Sequence, residues 1–91
     1  MPIDFSEYEK IEIVQKLLYK NGITGYEAAV KLVGEKVAIA LLVSILKKIA
    51  AEKYFPKIND ESAAAKGIRE EHISNFVLAV LETNKIITRT R

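Results

Sequence analysis

Apolar side chains recur at helical spacing in three stretches, and each stretch ends on a recognisable stop. In the first, Tyr8, Ile11, Val14, Leu17 and Leu18 fall on one face of a helix. Asp4 with Glu7, and Ser6 with Glu9, have capping-box spacing, which predicts a helix over about 6–20. Lys16 and Lys20 sit in its last turn, where cations suit the helix dipole. Asn21-Gly22 is a stop signal, and Ile23 is expected as a short extended link.

The second stretch opens on Thr24-Gly25-Tyr26-Glu27, another capping-box pattern. From Tyr26 to Lys53 there is no proline and one glycine, Gly34. A helix either breaks at Gly34 or runs through it at a cost of about 1 kcal/mol. The apolar set Tyr26, Val30, Val33, Val37, Leu41 keeps its phase across the glycine. The pattern therefore predicts one central helix over about 25–53, close to ~42 Å long at the usual rise per residue. Its segment Val37 to Leu46 has a single polar residue, Ser44. A helix apolar on all sides must be covered on all sides. Two other helices cover one side, so the remainder is expected to meet a protein partner. The expected interface is Tyr26, Val30, Val33, Val37, Leu41, Leu42, Ile45 and Ile49.

Tyr54-Phe55-Pro56 ends the central helix, and a long polar link is expected over 54–68, with Asn59 and Asp60 as possible caps for a helical turn or two. Ile68 is expected as a second extended link. The last helix is expected over about 69–83, with Glu70 and Glu71 at its positive end and Ile73, Phe76, Val77, Val80 and Leu81 on its apolar face. A tail over 84–91 carries a β-like Ile86-Ile87-Thr88 and the cations Lys85, Arg89 and Arg91. No repeat or low-complexity segment interrupts this plan of one domain over 1–91.

Composition narrows the function. Fourteen Lys and Arg against twelve Asp and Glu leave a formal charge of +2, which permits nucleic-acid contact without arguing for it. There is no cysteine, hence no disulfide or thiolate metal site, and the single histidine, His72, cannot build a metal cluster. The polar, acidic start does not read as a signal peptide, and the longest apolar run is about half of what spans a bilayer. No phosphate-binding loop, dinucleotide fingerprint or nucleophile elbow is present. The expectation is a non-enzyme with no cofactor and no metal.

The order short helix, link, long central helix, link, short helix resembles the histone fold. Asn21-Gly22-Ile23-Thr24-Gly25-Tyr26-Glu27-Ala28 looks like a first loop and capped central helix. Lys66-Gly67-Ile68-Arg69-Glu70-Glu71-His72-Ile73 is similar to a second loop and the start of a third helix. The resemblance covers roughly 8–83. Within that fold the chain looks most like the CENP-W family of inner-kinetochore subunits, with CENP-X-type subunits as the close rival. The resemblance implies obligate pairing with a CENP-T-like histone-fold chain, centromeric DNA binding by the complex, and a nuclear, chromosomal location. The acidic start (Asp4, Glu7, Glu9) departs from the basic arm of that family.

In a histone pair the links of partnered chains lie side by side and face DNA. The resemblance therefore nominates Lys20, Lys57, Lys66 and Arg69 as phosphate contacts, and the tail adds Lys85, Arg89 and Arg91. The plain alternative is solvated surface charge. Lys47, Lys48 and Lys53 are read as a solvated helix end, Glu70 and Glu71 as dipole complements, and His72 as an exposed histidine. Tyr26, Tyr54 and Phe55 could stack on bases, though packing is the commoner use. The competing architecture is a winged-helix DNA reader, with Ile23 to Leu32 as a first helical element and Ile73 to Arg91 as a recognition helix and strand. An unrelated helical adaptor is the third reading.

Overall fold

A computed structural model describes residues 5–57, 59–60 and 62–87, with side chains from Glu7 onward. Among them the protein is all-helical: α1 (Phe5–Asn21), a 3-10 turn (Gly22–Gly25), α2 (Tyr26–Val33), α3 (Glu35–Ile49), a π turn (Ala50–Tyr54) and α4 (Ala63–Thr83). The chain divides into two units, 1–46 and 47–91, with the division falling inside α3.

In the first unit α1 buries Val14 and Leu18 completely, as its apolar spacing requires. It ends where expected. Asn21 Nδ2 donates to the Leu17 carbonyl at 3.1 Å, and Gly22 takes φ 60, the left-handed conformation that closes a helix C-terminus. The link after it is a 3-10 turn and not an extended strand. Thr24 Oγ1 donates back to the Asn21 carbonyl at 2.8 Å, so its side chain closes this turn and does not cap α2. Gly25 precedes α2 with no side-chain cap. Gly25, the last residue of the 3-10 turn, is buried against the end of α1: a Cβ at this position would stand 3.3 Å from Leu17 Cγ. Absence of a side chain is what lets the turn pack so closely.

The expected continuous helix over 25–53 is broken at Gly34. This residue has φ 86 and ψ 162, far from helical values and open in practice only to glycine. Its N–H still donates to the Val30 carbonyl at 2.8 Å, and its carbonyl accepts from the Ala38 N–H at 2.9 Å. Each helix therefore runs right up to the glycine, and one residue makes the whole connection. The apolar phase survives across Gly34 in sequence, but phase alone does not hold a backbone straight where glycine removes the penalty for turning.

In the second unit the end of α3 widens into a π turn, with the Phe55 N–H donating five residues back to the Ala50 carbonyl at 2.8 Å. Phe55 leaves the helical region (φ −132, ψ 61), and Pro56 prevents the helix from resuming. The expected link over 54–68 is shorter than predicted. Neither Asn59 nor Asp60 caps a helix; Ser62 does, its Oγ accepting from the Ala65 N–H at 3.1 Å. Helix α4 therefore begins six residues before the expected start. Ile68 is helical, not extended, and Gly67 sits inside the helix. The alanine-rich run Ala63-Ala64-Ala65 has high helix propensity and offsets that glycine.

Helix α4 buries Ile73, Val77 and Leu81 on one face. Its exit is a Schellman turn: the Ile86 N–H reaches the Leu81 carbonyl at 2.9 Å and the Lys85 N–H reaches Glu82 at 3.0 Å. Lys85 holds φ 59, the position glycine usually takes. Ile86 and Ile87 are bends, not strand, and Thr88, Arg89 and Arg91 lie outside the described residues.

Three stability changes follow. Leu18→Ala removes a fully buried side chain and is expected to cost about 2–5 kcal/mol. Ser62→Ala is expected to cost about 1 kcal/mol through loss of the α4 cap. Lys85→Gly is expected to add about 1 kcal/mol by relieving the left-handed backbone. Urea melts of the three variants check both the order and the opposite sign of the last.

Candidate functional site

The candidate pairing surface lies on α2 and α3. Helix α3 covers one side of itself well: Ala38 and Leu42 are fully buried, and Ile45 and Leu46 nearly so. A helix turns 100° per residue, so these four share one face. The flanks, Ile39, Leu41, Val43 and Ile49, are half-buried. The opposite face carries Lys36, Val37, Ala40, Ser44, Lys47 and Lys48, all exposed.

The eight residues expected at an interface therefore divide. Leu42 and Ile45 belong to the chain's own buried set. Tyr26, Val30, Val33, Leu41 and Ile49 are half-covered, and Val37 is 39% exposed. Leu32, on α2 just before the break, is 40% exposed as well. Sequence reasoning passed over Leu32 because it lies off the apolar stripe. It also passed over Ile13 and Tyr19 on α1, which stay exposed, and Tyr8, expected on the apolar face of that helix, is 63% exposed.

Tyr26 opens α2, and Glu35 opens α3. Partial burial, and secondarily the Glu35 carboxylate, raise the Tyr26 phenol above its ordinary pKa.

The candidate DNA cations occupy varied settings. Lys20 is exposed in the last turn of α1, and Lys57 is exposed after Pro56. Lys66 and Arg69 do not stand in a link: both belong to the first two turns of α4, because that helix starts at Ala63. They are three residues apart and so near neighbours on the helix surface. Lys85 is exposed in the α4 exit turn; Arg89 and Arg91 lie outside the described residues.

An aromatic cluster forms where the π turn meets α4. Tyr54 lies 5.3 Å from Phe76 at 50°, and Phe55 stands edge-on to Phe76 at 6.3 Å. Phe55 also stacks on the His72 ring at 6.0 Å and 13°. The extra residue of the π turn brings two successive aromatics to the same helix, which neither helical nor strand periodicity signals. Tyr54 and Phe55 thus find protein partners, and His72 packs against a ring. Among the described residues no three histidine or acidic side chains gather where they could hold a metal ion, and no helix is long and apolar enough to cross a membrane.

No protein-family model matches the chain, and neither a curated protein nor a solved structure does.

The Tyr26–Glu35 coupling is directly testable. The neutral phenol is the favoured form here, so the contribution of Tyr26 to stability is complete below pH 10 and is lost as pH rises through its raised pKa. Glu35→Gln is expected to lower the Tyr26 pKa part of the way back, leaving the effect of burial. Tyrosinate absorbance titrations of the protein and the variant measure it; an unmoved Tyr26 would mean that Glu35 does not reach it.

Proposed function

We propose that this chain is a non-catalytic helical subunit that pairs with another protein through the apolar side of α2 and α3. The observation that carries this reading is the incomplete cover of that side: Val37 is exposed, and Tyr26, Val30, Val33 and Leu41 are half-exposed. Apolar surface of this kind, beside a set of cations, fits a protein interface better than a substrate site.

The narrower form of the proposal is a histone-fold subunit with a CENP-T-like partner, contributing with it to centromeric DNA binding in the nucleus. A CENP-X-like subunit is the variant of the same idea. The sequence resemblance supports it; the broken central helix, the shortened second link and a final helix of 21 residues depart from it. On this reading Lys20, Lys57, Lys66, Arg69, Lys85, Arg89 and Arg91 serve the complex as phosphate contacts, and the lone chain, with a charge of +2, binds DNA poorly.

One observation favours a second reading, a helix-turn-helix DNA reader. The break at Gly34 makes α2 and α3 two successive helices, and the outer face of α3 presents Lys36, Ser44, Lys47 and Lys48. Here the lone chain would bind DNA, and α3 would carry the contact.

Two experiments separate these readings. Leu41→Asp places a charge on a half-covered flank, where the fold tolerates it and an apolar partner does not; pairing is expected to weaken at least a hundredfold in a co-purification or titration assay, with helical content retained. Ile45→Asp, at a buried position, is expected to unfold the chain instead. Full pairing by Leu41→Asp would remove α3 from the interface.

Salt titration of DNA affinity addresses the cations. Replacing Lys20, Lys57, Lys66 and Arg69 with Ala is expected to flatten the salt dependence of the complex by roughly 0.9 per lost phosphate contact. If the slope is unchanged but Lys36→Ala, Lys47→Ala and Lys48→Ala abolish binding by the lone chain, the helix-turn-helix reading replaces the first.

A further inference from the structure

We infer that Asn21 is a site of spontaneous chemical modification, in which the Gly22 backbone nitrogen displaces the Asn21 side-chain amide, and that the joint between α1 and α2 holds this reaction back. The chemistry needs no partner protein.

The reacting groups are neighbours in the chain. Asn21 is exposed, and Asn21-Gly22 is the one asparagine–glycine pair in the sequence. Glycine has no side chain to shield its nitrogen, and a Cβ at Gly22 would meet nothing within 4 Å. The deprotonated Gly22 nitrogen attacks Asn21 Cγ. A C–N bond forms, the Cγ–Nδ2 bond breaks, and ammonia leaves with the proton. The product is a five-membered cyclic imide. Water then adds to one of its two carbonyls and reopens the ring. Opening leaves either an aspartate or an isomer whose backbone runs through the side-chain carbonyl. The net exchange is amide and water for carboxylate and ammonium, with no oxidant or reductant.

Three features of the fold oppose ring closure. Asn21 has φ −106 and ψ −13. At this ψ the Gly22 nitrogen nearly eclipses the Asn21 nitrogen and stands away from Cβ, whereas the ring needs it to eclipse Cβ. The Thr24 hydroxyl donates to the Asn21 carbonyl at 2.8 Å. That carbonyl and the Gly22 nitrogen share one rigid peptide plane, so rotation about ψ breaks this bond. Asn21 Nδ2 donates to the Leu17 carbonyl at 3.1 Å, which holds the leaving group back along α1. Reaction therefore waits for the joint to open.

The product does not rebuild the joint. A carboxylate has no hydrogen to offer the Leu17 carbonyl, and it places negative charge at the negative end of the α1 dipole. The isomer with the longer backbone also displaces the turn that seats Gly25 against Leu17. One slow, irreversible step thus loosens the attachment of α1 to α2.

The test is incubation of the full chain at mildly alkaline pH, followed by mass analysis of the tryptic peptide Asn21–Lys31. Asn21 is expected to convert to the acid, more slowly in the folded chain than in the urea-unfolded chain. Thr24→Val removes the hydroxyl and keeps the branched shape. It is expected to speed the folded-state reaction about two- to tenfold, the extra opening that loss of one ordinary hydrogen bond allows, and to leave the unfolded rate unchanged. Thr24→Ser retains the hydroxyl and is expected to keep the wild-type rate. Asn84 is the internal control: its Nδ2 donates to the Val80 carbonyl at 2.8 Å in the same way, but Lys85 follows it, and it is expected to stay intact.

Equal rates in the folded and unfolded wild-type chain overturn the proposal, as does an Asn21 that stays intact in both. A folded Thr24→Val chain that reacts at the wild-type rate overturns it too. Should Thr24→Val fail to fold, a urea series on the wild-type chain decides the matter. A rate that climbs before the melting transition supports opening of the joint; a rate that tracks only the globally unfolded fraction overturns it. The modified chain, separated by its extra negative charge, is expected to melt at lower urea than the intact chain, and an unchanged midpoint overturns the loosening.

Discussion

One backbone conformation governs the arrangement of the first half of the chain. Gly34, at φ 86 and ψ 162, occupies a region that side-chain-bearing residues avoid. Its direct consequence is that two helices of 8 and 15 residues replace one long central helix. Glycine in a straight helix costs about 1 kcal/mol, and the bend forfeits the hydrogen bonds of the turn that it interrupts. The two conformations therefore differ by terms of similar size, and packing decides between them.

The second half rests on a different device. A π turn inserts an extra residue at the end of α3, Pro56 forbids continuation, and the aromatics just before the proline pack onto Phe76 and His72 of α4. Ring contacts of this geometry contribute about 0.5–1.5 kcal/mol beyond area burial. They give the π turn a partner and fix where the chain leaves α3. Ser62 and the Lys85 turn then set the two ends of α4 independently, one by a side-chain cap and the other by backbone hydrogen bonds.

The distribution of charge on α3 bears on both functional readings. The apolar run that suggested burial on every side has its one serine, and the lysines that flank the run, on the face opposite Leu42, with Val37 and Ala40 beside them. That face is neither a clean apolar interface nor a clean basic surface. The half-covered flanks around Leu41 are the apolar part, and they adjoin the cations. A partner that covers the flanks would leave Lys36, Lys47 and Lys48 at the rim, where charges steer association more than they strengthen it.

Much of the local structure was legible in the sequence. The all-α class, the extent of α1 with its Asn21-Gly22 stop, the end of the second stretch at Tyr54-Phe55-Pro56, and the buried faces of α1 and α4 all follow from side-chain spacing and stop signals that act within a few residues. The candidate apolar site was legible as a stripe, but not which of its members the chain would cover for itself: Leu42 and Ile45 are buried while Val37 is exposed, though all three are equally apolar. Candidate cations in the second link were misplaced because Ser62 competes with Asn59 and Asp60 as a cap, and cap strengths are too similar to rank from residue type. The straightness of residues 26–49 was beyond the sequence for a related reason. Glycine makes bent and straight backbones nearly equal in energy, so the local signal there is close to zero. Periodicity fixed which side chains belong to one face of each helix; only the tertiary structure, through the packing that outweighs so small a local difference, decided where one helix ends and the next begins.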